Sequence, residues 1–270
     1  MSSNKHNLNT EEIFFKEIAP LLFEHVEKSL NMNTVSTLKS RDGDFATAID
    51  ISAEKLIVQK IQELFPEDKI LAEEGFSETK IGQDRIWIID PICGTNNLGR
   101  DIDLYCTNIA LADRGELIAS CVIDYNKKDF YWSVGGGRVY KNSDEFSAIQ
   151  DEDMGVLIDV DLGCLPNVNR TNKSKYTHFL EKLLTETDYI LCSHNTSLTF
   201  LNVAVGKVNG AVNMSNHPWD VCASVFLLSQ MGGVISDIYG NQWYVGSDKG
   251  MVLSLNKKIH QKLLNTYALA

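Results

Sequence analysis

The stretch that decides the fold is Arg85–Leu98, "RIWIIDPICGTNNL". Ile86, Trp87, Ile88 and Ile89 are four apolar residues in a row, the pattern of a strand buried on both faces and therefore lying inside a sheet. Asp90 and Pro91 end that strand with turn-forming chemistry. Gly94 and Thr95 then supply a flexible backbone position and a hydroxyl at the start of a short helical turn. A strand running into a polar, glycine-containing turn is a place where binding sites are built.

Working outward, the upstream segment reads as two helices. The first begins at Asn9 or Thr10, where Asn9 and Glu12 have capping-box spacing; Phe14, Ile18, Leu21, Leu22 and Val26 form its apolar stripe, with Pro20 a point of kinking. The second spans roughly 51–64, with Leu56, Ile57, Ile61 and Leu64 on one face and Pro66 as a stop. "KILAEE" (69–74) is a short strand before the deciding stretch. After it, "CTNIALAD", "LIASCVIDY", "DFYWSV" and "GRVYKN" predict an antiparallel meander ending near Asn142.

The polar segment "KNSDEFSAIQDEDMG" (141–155) is the expected boundary between an N-terminal α+β lobe, 1–142, and a C-terminal α/β lobe, 143–270, the two forming one compact unit. Beyond it strands and helices alternate. "GVLIDV", "DYILCS", "GAVNM" and "GMVLSLN" are strands. Helices are expected over "SKYTHFLEKLL", 197–205, 218–231 and the C-terminus. The whole reads as a layered α/β chain.

At 270 residues, with 44% hydrophobic and 23% charged, the composition is that of a soluble globular protein with a sizeable core. The net charge of -11 argues against a nucleic-acid polymer or an anionic membrane as partner, because both require clustered Lys and Arg. No run of about 18 apolar residues predicts a membrane span, and "MSSNKHNLNTEE" has no hydrophobic signal segment. Six scattered cysteines without a C-x-x-C pair indicate neither a disulfide framework nor a structural zinc cluster, so a reducing cytoplasm is the expected setting.

Four acidic positions fall where elements begin or end: Asp50, the Glu73–Glu74 pair, Asp90 and Asp220. Singly, each has an ordinary explanation. Asp50 suits a helix N-cap, Glu73 and Glu74 an exposed turn, Asp90 a turn, and Asp220 the start of a helix after Pro218 and Trp219. Together they suit a cation, since converging carboxylates repel unless protonated or bridged. Mg2+ is a hard, oxygen-seeking ion able to link carboxylates to phosphate. "GTNN" adds backbone N–H groups and a hydroxyl suited to phosphate oxygens.

"AEEG", "WIIDPICGTNN" and "HPWDVCASVFLLSQMGG" resemble the three signature segments of the inositol monophosphatase family, in the same order and with similar spacing. "LKSRDGDFATAID" and "GGGRVYKN" match as well, so the resemblance covers residue 38 to the C-terminus. It implies the sugar-phosphatase fold, an αβαβα sandwich, and Mg2+-dependent hydrolysis of small phosphate monoesters. By the same resemblance Glu73, Asp90 and the carbonyl of Ile92 hold a first metal, and Asp90 bridges to a second that Asp220 also binds. Gly94 and Thr95 contact phosphate; Thr95, Glu73 and Asp50 orient and activate the attacking water. A homodimer is implied too.

The chain departs from the family at Cys93, where D-P-I-C-G-T replaces D-P-I-D-G-T and a second-metal ligand becomes a thiol. Mg2+ gains little from sulfur, whereas Zn2+ is accommodated if Cys93 binds as thiolate, and Mn2+ is a further candidate. Otherwise Cys93 is a small buried residue beside the site. Asn213 stands where inositol-specific members carry a glutamate, and Asn195 where many have glycine. Both read equally as loop caps or as substrate contacts. His217 is expected to order the turn before Trp219, and Trp219 to be core. The sequence therefore carries two functions: hydrolysis of an inositol-phosphate-like, sugar or nucleotide phosphate, or a weak or inactive relative that binds a phosphorylated ligand or a protein partner. Bisphosphate nucleotidases and fructose bisphosphatases are neighbouring enzyme possibilities.

Overall fold

A computed structural model describes residues 9–31, 36–38, 45–148, 154–163, 169–215, 217–247 and 249–270. Residues 39–44 of the upstream family match, residues 149–153 of the polar boundary segment, Cys164 and the side chain of Asn9 lie outside this description. In chain order the elements are α1 (Asn9–Asn31), β1 (Ser36–Leu38), β2 (Phe45–Thr47), α2 (Ala48–Leu64), β3 (Lys69–Ala72), β4 (Ile86–Cys93), α3 (Thr95–Leu98), β5 (Cys106–Asp113), β6 (Glu116–Asp124), β7 (Asp129–Ser133), β8 (Val139–Lys141) and β9 (Asp144–Phe146). They continue with β10 (Leu157–Val160), α4 (Arg170–Glu186), β11 (Ile190–Cys192), α5 (Leu198–Ala204), β12 (Gly210–Asn213), α6 (Pro218–Gln230), β13 (Val234–Asp237), β14 (Met251–Ser254) and α7 (Lys257–Ala268).

Two sheets and three helical layers alternate, the αβαβα sandwich that the resemblance implies. A seven-stranded sheet runs β3-β4-β5-β6-β7-β8-β9, and a five-stranded sheet runs β11-β10-β12-β14-β13. α1 and α2 pack on each other and on the outer face of the first sheet; α5 and α6 lie between the sheets; α4 and α7 cover the second sheet. β4 shows why these layers form. Its side chains alternate, sending Trp87 and Ile89 into the core under α1 and α2, and Ile86 and Ile88 into the core around α5 and α6. Burial on both faces makes this segment an interior strand, between β3 and β5.

Strand direction places the site. β3 is parallel to β4, and β10, β11 and β12 are mutually parallel. The carboxyl ends of each group therefore lie together, the usual position for ligands in open α/β sheets. A register shift between Asp90 and Cys93 interrupts the β4–β5 ladder, which resumes at the Cys93–Cys106 pair before the chain turns into α3; Asp90 and Pro91 thus lie inside β4 and do not end it.

Several details correct the sequence reading. α2 begins at Ala48, so Asp50 sits inside the first turn and is not its cap. The meander does not end near Asn142, because β9 extends it. β13 and the β1–β2 hairpin were not anticipated. Trp219 is partly buried at the edge of the central core, stacked on His217 with centroids 4.7 Å apart. Among the described residues no helix is long and apolar enough to cross a membrane.

Candidate active site

Asp90 and Glu73 are brought together by sheet pairing. Ala72 pairs with Ile89, and the Glu73 N–H extends the ladder to the Ile89 carbonyl at 3.3 Å, so the two acids leave neighbouring parallel strands side by side. Asp220 arrives from the first turn of α6, where its Oδ2 accepts the His217 N–H at 2.8 Å. Ligand atoms of Asp90, Cys93 and Asp220 all lie within 4.8 Å of one another.

Asp90 is 1% exposed, and its Oδ1 has no hydrogen-bond partner among the described residues. Burial first, then the neighbouring Cys93, Glu73 and Asp220, push its carboxyl well above the usual range. No described lysine or arginine is ion-paired with Asp90. A buried carboxylate oxygen with no donor, in a cluster of like charge, fits a bound cation. The donor set suits a divalent ion from its oxygen side; the sulfur of Cys93 adds softness that Mg2+ does not need.

Cys93 already has a partner of its own. Its Sγ accepts the Ser197 N–H at 3.2 Å, and Thr196 Oγ1 reaches the Cys93 carbonyl at 3.3 Å. Hydrogen bonding with Cys106, then burial, raises the thiol well above its ordinary range. The protein thus holds a neutral thiol here, beside carboxyls whose charge opposes its ionisation.

Gly94 has φ 98°, and a Cβ there would come within 2.7 Å of the Leu104 carbonyl, so only glycine makes this turn. Thr95 begins α3, partly buried. Ile92 lies in the irregular part of β4 and is 1% exposed. Asp50 is fully buried, and Glu54 stands one turn further along the same face of α2. Glu54 escaped the sequence reading, although its i,i+4 spacing from Asp50 was available. Its Oε2 accepts the Glu74 N–H at 2.7 Å, holding the turn that carries Glu73; burial raises its pKa even so.

A cavity of 180 Å³ opens over this cluster, with Cys93, Asp220, Asn195, Asn213, Asp159 and Asp161 in its walls. Glu73, Asp90, Thr95 and Asp50 are not among its described walls. Asn213 is 3% exposed and doubly bonded: Nδ2 donates to Asp161 at 2.6 Å and Oδ1 accepts the Ser215 N–H at 2.8 Å. Asn195 is exposed and left-handed, at φ 53°, with its side chain against Gly163. Asn97 ties the loops together, donating through Nδ2 to the Leu104 carbonyl at 2.9 Å and the His194 carbonyl at 3.1 Å. Asp159, Cys192 and His194 form a further group near the cavity, unforeseen because strand pairing alone assembles it. Burial and the Asp159 charge push the Cys192 thiol up to about 12.

The family model of the inositol monophosphatase family matches residues 7–268. A putative Nus factor SuhB of Neisseria meningitidis serogroup B is 27% identical over 240 residues, spanning 87% of this chain and 88% of that protein. The inositol-1-monophosphatase of Bacillus subtilis is 26% identical over 257 residues, spanning 94% and 93%. A solved IMPase/NADP phosphatase in complex with Mg2+ and phosphate superposes with a TM-score of 0.80 at 22% identity, covering 96% of this chain and 95% of that one. With signature segments, layered architecture and family match in agreement, the chain belongs to the inositol monophosphatase family of phosphatases.

Proposed function

We propose that the protein hydrolyses a small phosphate monoester, of an inositol-like polyol, a sugar or a nucleotide, with the help of a divalent cation, Mg2+ first. The observation that carries this reading is the buried, donor-free Oδ1 of Asp90, within reach of Asp220 and beside Glu73. Glu73, Asp90, the Ile92 carbonyl and Asp220 would hold the cation. Such an ion supplies Lewis acidity, making water more acidic and neutralising charge on the departing oxygen. Thr95, Glu73 and Asp50 would orient the attacking water, and a carboxylate of Glu73 or Asp50 would take up its proton. Gly94 and Thr95 receive phosphate oxygens through the N–H groups at the start of α3, which have no partners within the helix. Asn195, in the cavity wall, meets the alcohol part of the ester; the small cavity favours a compact one.

Phosphate release from a panel of monoesters with Mg2+, Mn2+ and Zn2+ tests this. Turnover of at least one ester, abolished by chelator, is expected; no turnover with any metal overturns the reading. The neutral, already bonded thiol of Cys93 favours a second reading, a weak enzyme that chiefly binds a phosphorylated ligand or a protein partner. Thermal stabilisation by an ester without phosphate release, together with activity gained in Cys93→Asp, would select it. The five described cysteines are all free thiols, in keeping with a reducing cytoplasm, and sedimentation checks the homodimer that the family resemblance implies.

A further inference from the structure

We infer that Asp159, Cys192 and His194 form a second cation site, for a thiophilic divalent ion such as Zn2+, separate from the Asp90 cluster. Among the described residues these are the other group whose three ligand atoms lie within 4.8 Å of one another. The sheet builds it. Asp159 and Cys192 are paired residues of the parallel strands β10 and β11, and His194 follows two residues after Cys192, on the same side of the chain.

The distances suit a small tetrahedral ion. Zn2+ bonds of about 2.3 Å to sulfur and about 2.0–2.2 Å to nitrogen and oxygen put neighbouring ligands about 3.5 Å apart. Cys192 Sγ is 3.4 Å from Asp159 Oδ2 and 3.9 Å from His194 Nδ1. His194 Nδ1 and the same Asp159 oxygen are joined by a hydrogen bond, which the ion would replace. Thr199 Oγ1, 3.5 Å from His194 Nδ1, lies at the rim, and the cavity leaves room for water as fourth ligand.

The chemistry points the same way. Asp159 is 1% exposed, and its described hydrogen-bond partners are an imidazole and a thiol, the groups a soft ion takes. One sulfur, one nitrogen and one oxygen suit Zn2+ and suit Mg2+ poorly. Uptake exchanges the Cys192 thiol proton, released to solvent, for the cation; no electrons move. The site would brace the cavity wall, because the chain passes directly from His194 through Asn195 to Ser197, whose N–H holds Cys93.

The test uses the full chain, reduced and stripped of metal, titrated with Co2+ and then Zn2+. One equivalent of Co2+ is expected to give a sulfur-to-cobalt charge-transfer band that Zn2+ bleaches. The band persists in Cys93→Ser and disappears in Cys192→Ser. His194→Gln, which keeps the thiol, weakens Zn2+ binding at least tenfold, on the order of or beyond the loss seen when a metal ligand's supporting residue is removed. It keeps the proposal testable should Cys192→Ser fail to fold. Absence of the band in the native chain, its loss in Cys93→Ser with retention in Cys192→Ser, or unchanged Zn2+ affinity in His194→Gln each overturns the proposal. Phosphate release is not a readout, so the result bears on this site whatever ester the enzyme cleaves.

Discussion

The two ends of β4 carry buried acids in opposite circumstances. At the amino end, Arg85 bonds Glu11 of α1 and reaches Asp68 at 2.8 Å, while Trp87 Nε1 donates to the same Asp68 oxygen at 2.8 Å. Glu11 is fully buried, yet a guanidinium balances it. At the carboxyl end Asp90 is as deeply buried, and its neighbours are a thiol and two more acids. Eight residues of one strand thus run from an end finished in charge, although Glu11 Oε2 itself has no described hydrogen-bond partner, to an unfinished end where no described cation meets the acids. Desolvating a charge without compensation is costly, so an acid cluster that persists this way serves something other than stability.

Breaking the finished end should produce the larger loss of stability. Arg85→Met leaves Glu11 buried without its partner, and removal of one member of a buried pair costs about 3–5 kcal/mol. Urea denaturation should show this, with phosphate release per folded molecule unchanged. Equal stability of the variant and the native chain would erase the contrast between the two ends.

Asp90→Asn should do the reverse. Losing one unit charge about 4 Å from a cation forfeits about 4 kcal/mol at an effective dielectric near 20, roughly a thousandfold in affinity or rate at about 1.4 kcal/mol per tenfold. Stability in chelator should hold or rise, because the substitution removes a repelled, desolvated charge. There is a pH signature as well. The folded-state pKa of Asp90 is raised, so without metal its contribution to stability is complete below the unfolded value of about 3.9 and is lost as pH rises through the folded value. Asp90→Asn should remove that part of the decline. A variant that loses stability in chelator would place Asp90 among structural acids like Glu11.

How much of this was legible depends on sequence distance. The apolar run of β4, the start of the meander and most helices are local patterns, and they appear where expected; the D-P pair does not stop β4, which runs on to Cys93 because it pairs again there with Cys106. The family signatures marked Glu73, Asp90, Thr95 and Asp220, because each lies in a short contiguous segment. What stayed hidden is assembled across the chain. Cys93 receives its N–H from Ser197, 104 residues away. Asp159 meets Cys192 only through the β10–β11 register. β13 has just four residues and no alternation sharp enough to announce it. Arg85 meets Glu11 of α1 across 74 residues of sequence.

Glu54 offers the finest test of the contrast, because it supports the unfinished end without being part of it. Its carboxylate accepts the Glu74 N–H, and a Cβ on Gly75 would lie 2.9 Å from its other oxygen, so the turn carrying Glu73 is fitted closely around it. Glu54→Ala leaves a part-buried N–H without its acceptor, a cost of about 1 kcal/mol, at the low end for a group that loses its partner. Glu54→Gln keeps one acceptor oxygen and removes a charge that burial disfavours, so its loss should be clearly smaller. If Glu54 works by positioning Glu73, the alanine variant should need more metal to reach half-maximal activity while approaching the native rate at saturation. The glutamine variant should restore most of that metal affinity. Loss of the saturated rate in both variants would instead make Glu54 part of the chemistry, and equal metal dependence in all three proteins would reduce it to a helix residue that happens to touch the turn.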